Sequence, residues 1–284
     1  MKYFDLHCDT PYEIWNNGYS FAHEKLSVNP KFSGLFSRWI QCSAIWIRDD
    51  ANDPFILYRQ ILHSFLEARS AYSEKSYQTI LSVEGGALLE EDIDRIDILF
   101  SDRIRMLTLT WNGENTIAGG TKSDKCLTRF GKRVILRMND KKMICDLAHL
   151  NDKSFYGAYS YAFRPIVSHT CCRALCNHPR NLTDEQLKLI AEKNGLVGLC
   201  FYPDFLGGIN VFERFSQHLC HCLELGLENH IAIGSDFDGA KMSPQLCRVG
   251  QIADLYAFLL KKSFSVPILN QLFYGNACNF FSSL

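Results

Sequence analysis

The 284-residue sequence lacks a strong charge of either sign: 30 Lys and Arg stand against 31 Asp and Glu, for a formal net charge of −1. No face-wide field is available to draw in nucleic acid or an anionic membrane, so the partner expected is a small molecule. There is no apolar run long enough to cross a bilayer. The N-terminus enters a strand pattern at once, without a charged-then-apolar leader, so the expected location is the cytoplasm, with no membrane attachment. Paired Cys-x-x-Cys units are absent among the 12 cysteines. Their irregular spacing argues for reduced, mostly buried thiols rather than a disulfide scaffold or a cysteine-based zinc site. Repeats, low-complexity tracts and long linkers are also missing, so residues 1–284 read as a single domain.

What remains is ordinary globular material, 47% hydrophobic and 21% charged, in which short apolar runs alternate with amphipathic stretches. Strands are expected at 3–6, 40–47, 79–83, 106–110, 143–147, 166–168, 196–201 and 231–235. Helical patterns fall at 55–72, 131–139, 183–193, 211–225 and 251–261. The helix after Thr183 carries an N-cap, an acidic first turn and a terminating Gly195. Eight strands with helices between them predict an α/β fold of the (β/α)8 TIM-barrel type, distorted where the second and third crossovers look irregular. An open doubly wound sheet would want a glycine-rich loop after the first strand, and His7-Cys8-Asp9-Thr10-Pro11 is unlike one.

In such a barrel, chemistry sits at the C-terminal strand ends. His7 and Asp9 follow the first strand, Glu84 the third, His149 the fifth, His169 the sixth and Asp236 the eighth. Imidazoles and carboxylates are good ligands for zinc-type ions. So many donors exceed the need of one tetrahedral ion and suit two ions sharing a carboxylate, with Glu84 the natural bridge. Gly85 and Gly86 are read as letting the backbone pass close to the ions. Each residue alone has a plainer reading, as a hydrogen-bonded histidine or a helix cap, but independent capping would not repeat around one barrel mouth. His23, His63, His218, His221 and His230 are read as solvated or packed, His178 as intermediate, and Asp238 as orienting its loop. Residue by residue, Arg180 reads as a loop salt bridge.

Strings along nearly the whole chain carry a family likeness: Phe4-Asp5-Leu6-His7-Cys8-Asp9-Thr10, Ser82-Val83-Glu84-Gly85-Gly86, Leu107-Thr108-Leu109-Thr110, Ser168-His169-Thr170, His178-Pro179-Arg180-Asn181-Leu182-Thr183-Asp184 and Gly234-Ser235-Asp236-Phe237-Asp238-Gly239. Together they resemble the membrane dipeptidase (renal dipeptidase) family, peptidase family M19, whose barrel is metal-dependent and amidohydrolase-like. The resemblance implies two Zn2+, other divalent ions being admitted. It places His7 and Asp9 on one, His149 and His169 on the other, and Glu84 between them. It implies a metal-bridging hydroxide as nucleophile, Asp236 as proton carrier, Arg180 gripping the free carboxylate of a dipeptide substrate, and a homodimer. A D-residue at the C-terminal side of the substrate is admitted.

One departure stands out. Where mammalian-type members place a substrate-contacting histidine after Leu-Thr-Leu-Thr, this chain has Trp111 followed by Asn112. These two become candidate substrate contacts, and Trp111 leaves room for an alternative substrate such as an N-acyl amino acid, cyclic amide or lactone. A catalytically silent barrel would lack ligands, and none is missing. A metal-dependent phosphoesterase would open with His-x-His, against Asp9 here.

Overall fold

The computed structural model describes residues 1–72 and 76–282. Its eight strands are β1 (Lys2–Asp5), β2 (Arg38–Trp46), β3 (Tyr77–Glu84), β4 (Ile104–Thr108), β5 (Ile144–Asp146), β6 (Ile166–Thr170), β7 (Leu196–Leu199) and β8 (Ile231–Ile233). Each pairs in parallel with the next, and β8 returns to β1 through Asp5 opposite Ile233, closing the barrel. The principal helices are α1 (Thr10–Asn17), α2 (Pro54–Ser70), α3 (Arg95–Ser101), α4 (Arg129–Asp140), α5 (Asp152–Tyr161), α6 (Asp184–Glu192), α7 (Pro203–Leu206), α8 (Val211–Glu224), α9 (Ile252–Lys261), α10 (Val266–Asn270) and α11 (Asn276–Ser282). Among the described residues no helix is long and apolar enough to cross a membrane.

Two apolar clusters hold the barrel. Side chains alternate across a strand, so Phe4, Ile40, Cys42, Met106, Ile144, Ile166, Leu196 and Ala232 fill the interior, and Ala277 and Phe280 of α11 close its foot. Truncating a fully buried ring such as Phe4 to Ala costs about 3–5 kcal/mol. The opposite strand faces, Tyr3, Trp39, Ile45, Val83 and Leu107 among them, pack against the surrounding helices. The interior is thus plugged at one end, and a ligand can enter only at the other, where the strand C-termini open.

The distortion is real and only partly placed as expected. The second crossover is built on a regular helix: Pro54 stands at the first position of the 17-residue α2, where its fixed φ and missing N–H are tolerated. Irregularity falls on the first crossover, where α1 is followed by a 3-10 turn at Pro30–Leu35, and on the third, a 3-10 turn and the short α3. The α6 start is as expected: the Thr183 side chain accepts from Gln186 N, and the Gln186 side chain caps Thr183 N in return. All twelve cysteines are free, seven of them buried: Cys8, Cys42, Cys145, Cys171, Cys172, Cys200 and Cys222.

Candidate metal centre

β1 does not carry its ligands as a simple continuation. The strand ends at Asp5; Phe4 and Leu6 belong to the interior cluster, and Cys8 to the outer one. His7 therefore reaches the mouth only because the backbone bends at Leu6. Asp5 fixes that bend, its Oδ1 accepting from His7 N at 3.2 Å and from Ser235 N at 2.9 Å. The same carboxylate thus ties the ends of β1 and β8, one carrying His7 and the other Asp236.

The donors converge. His7 Nε2 lies 3.3 Å from Asp9 Oδ2 and 3.6 Å from Glu84 Oε2. On the other side, His149 Nε2 is 2.6 Å and His169 Nε2 3.4 Å from Glu84 Oε1. Glu84 so divides its two oxygens between the two ligand pairs. His7, Asp9, Glu84, His149 and His169 are all buried, at 0–6% exposure. Asp236, 8% exposed, completes the ring with Oδ1 3.9 Å from His7 Nε2. His149 and Asp236 hold left-handed φ values of 68° and 64°, a conformation that costs energy for a side chain with a Cβ and is concentrated at sites where the surroundings enforce it.

Each histidine of the second pair is oriented from behind. His149 Nδ1 donates to Asn112 Oδ1 at 2.9 Å. His169 Nδ1 lies 2.9 Å from Ser168 Oγ, whose own proton goes to Asp146 Oδ2 at 2.6 Å. Asp146 also accepts from Thr108 Oγ1 and from the backbone of Ala148 and Ser168. With both Nδ1 atoms protonated, both Nε2 atoms present lone pairs, and they face one another at 3.0 Å beside a carboxylate oxygen.

Lone pairs so opposed repel unless a cation lies among them. Burial, reinforced by Arg180, holds His149 down to about 4 and, with His7, holds His169 well below the usual range, which is the neutral form that ligates. Burial and the neighbouring Glu84 push Asp9 up to about 7; burial also pushes Asp236 up to about 8, with Asp9 and Glu84 contributing and His7 opposing. Asp9 Oδ1, buried, has no hydrogen-bond partner. A hard-to-borderline N/O donor set with surplus negative charge fits divalent cations such as zinc.

Glycine serves this centre elsewhere than expected. A Cβ on Gly85 would meet Ile47 O at 2.6 Å and one on Gly86 would meet Leu109 O at 2.7 Å, so these two let β3 seat against its neighbours, not against the ions. The residue that brings backbone up to the ligands is Gly239, whose Cβ would lie 2.0 Å from Asp9 Oδ2 and 2.6 Å from Asp236 Oδ1. Asp238 orients the loop, accepting from Thr10 Oγ1, Ser27 N and Val28 N.

Above the ligands lies a cavity of about 570 Å3, bounded by Tyr12, Trp46, Trp111 and Lys122 on one side and by His178, Arg180, Tyr202 and Phe205 on the other. Arg180 is no loop salt bridge: it is 6% exposed, and among the described residues it has no carboxylate within 4 Å. Its Nη2 donates to His169 O at 3.4 Å, its guanidinium lies over the Phe205 ring, and Nε is buried without a partner. A buried, unpaired guanidinium is costly unless an anion arrives. Asn112 lines the cavity but commits its side-chain oxygen to His149. His178 packs on Phe205 at the rim; His218, buried, bonds Cys172 N and Leu206 O as a packed residue.

Reading the residues singly missed Asp5, Asp146 and Ser168, whose partners come from other strands, and Tyr12 and Trp46, which look like core aromatics.

The family model described as membrane dipeptidase (peptidase family M19) matches residues 58–283. An uncharacterized protein in the pqqA 5′ region of Klebsiella pneumoniae is 27% identical over 218 residues, 72% of this chain and 80% of its own. An uncharacterized dipeptidase of Schizosaccharomyces pombe is 30% identical over 176 residues, 58% of this chain and 43% of its own, so the chain spans less than half of that relative. Among solved structures, a Rhodobacter sphaeroides metallo peptidase liganded with a phosphinate mimic of the dipeptide L-Ala-D-Ala aligns with a TM-score of 0.86 at 22% identity, over 97% of each chain. The dipeptidase AC, a family M19 metallo peptidase, aligns at 0.88 and 22% identity over 97% of this chain and 96% of its own. At these identities the two structures establish the shared fold.

Proposed function

This chain belongs to the membrane dipeptidase family, peptidase family M19, and from that premise we propose that it hydrolyses dipeptides using two divalent cations, zinc foremost, held by His7, Asp9, Glu84, His149 and His169. The observation that carries the reading is the division of Glu84 between two donor pairs, Oε2 toward His7 and Asp9 and Oε1 toward His149 and His169. When bound, such ions acidify water and polarise a carbonyl.

The chain's own residues supply the rest. Hydrolysis puts the water oxygen on the carbonyl carbon and a water proton on the departing nitrogen as the C–N bond breaks. Asp236 borders both the ligands and the cavity, where it is placed to hold that proton and hand it on. Arg180 meets the substrate's free carboxylate with a planar pair of N–H donors, so an uncapped C-terminus one residue beyond the cut is required. Asn112, Ser168 and Asp146 keep the imidazoles aimed.

The test is a substrate panel with zinc-reconstituted protein: Ala-Ala type dipeptides with an L- or D-residue at the C-terminal side, their C-terminal amides, N-acyl amino acids and lactones. Cleavage of free dipeptides, with the amides much slower, supports the reading. Turnover confined to N-acyl amino acids or lactones would replace it with the other amidohydrolase activity that Trp111 leaves open.

A further inference from the structure

Three aromatic residues from three different strand ends form one wall of the cavity. Tyr12 follows β1, Trp46 ends β2 and Trp111 follows β4. The rings are locked edge to face: Tyr12 meets Trp46 at 4.7 Å and 74°, and Trp46 meets Trp111 at 5.0 Å and 68°. Trp15 of α1 braces Tyr12 from behind at 5.6 Å. All three wall residues remain partly exposed, while Trp111 stands 6.4 Å from the ring of His149. A preset aromatic surface of this kind costs little ordering entropy when a ring or large alkyl group lies on it. The proposed hydrolysis does not use it.

Its position in the barrel says what would lie there. In a ring of eight strands β2 and β6 are four places apart, on opposite sides of the mouth. The wall centres on β2, since Trp46 touches both of its partners, and Arg180 follows β6. The ligand side chains lie between them. A dipeptide with its carboxylate on Arg180 and its peptide carbonyl over the ligands therefore carries its N-terminal residue toward the wall.

We propose that the Tyr12–Trp46–Trp111 wall is a side-chain subsite selecting dipeptides whose N-terminal residue is aromatic or otherwise large and apolar. The proposal rests on the dipeptidase reading and sharpens its substrate class.

Steady-state kcat/KM of the zinc-reconstituted protein is measured on Phe-Ala, Ala-Phe and Ala-Ala. The expected result is Phe-Ala ahead of Ala-Ala by about tenfold or more, with Ala-Phe showing no such gain. In Trp111→Ala the Phe-Ala to Ala-Ala ratio should collapse toward one, and in Trp111→Phe most of it should return. Equal rates on Phe-Ala and Ala-Ala, or a preference for Ala-Phe, would overturn the subsite while leaving the dipeptidase intact. Failure to cleave any of the three would remove the dipeptidase reading, and the subsite with it. The unmutated ratio stands as a test even if Trp111→Ala does not fold.

Discussion

The Nε2 atoms of His149 and His169 face each other at 3.0 Å, each ring turned there by an acceptor on its far nitrogen, Asn112 Oδ1 for one and Ser168 Oγ for the other. Two neutral imidazoles gain nothing from that approach. It suits the proposed cation, and the residues behind the rings would then be part of that cation's affinity.

Ser168→Ala tests this directly. The substitution removes the acceptor of His169 Nδ1 while Asp146 keeps Thr108 and two backbone donors. Zinc affinity, read by chelator competition, should weaken about 10- to 100-fold, with secondary structure by circular dichroism unchanged. Undiminished affinity would show that the relay from Asp146 does not tune the site.

Asp236→Asn keeps the shape of the side chain and removes its proton-carrying capacity. Metal content should be retained while kcat falls by about two to four orders of magnitude. Near-normal turnover would take Asp236 out of the mechanism.

Arg180→Lys preserves charge but loses the planar pair of donors and the stacking on Phe205. KM for a free dipeptide should rise at least about tenfold, and the advantage of free dipeptides over their C-terminal amides should shrink. An unchanged amide-to-acid ratio would mean that the carboxylate is read by another group.

The candidate ligand residues are legible in the sequence because each follows an apolar run, and a histidine or carboxylate ending such a run has no packing reason to be there. The clamps behind them are not, because Asp5 and Asp146 close their hydrogen bonds on residues up to 230 positions away. Strand number and order follow from alternation, but crossover regularity does not: the second crossover, expected to be irregular, carries the 17-residue α2, while the first is broken by a 3-10 turn at Pro30–Leu35. Trp46 and Tyr12 show the same limit, since only closure of the barrel sets them beside Trp111 and across from Arg180.

Arg173 grips Asp152 with two parallel bonds of 2.8 and 2.9 Å, and Gln186 Nε2 adds a third at 2.9 Å. The Arg173 bond, against partial burial and helped by Gln186, holds the Asp152 carboxyl below its ordinary value. A lowered carboxylate stabilises the fold above its unfolded pKa and stops doing so as pH falls through the folded one. Asp152→Asn should therefore cost about 0.5–1 kcal/mol at pH 7, screened by its partial exposure, and the difference in denaturant midpoints should fade below about pH 4. A difference independent of pH would assign the effect to packing.

Metal content reports whether Glu84 and the four side chains around it, His7, Asp9, His149 and His169, hold the proposed pair of ions. Protein reconstituted with zinc salt, freed of excess by gel filtration and analysed by plasma mass spectrometry should carry about two equivalents per chain, with a marked loss in Glu84→Ala. A reconstituted wild-type protein that retains far less than one equivalent, or a Glu84→Ala variant that retains as much as the wild type, would contradict the account.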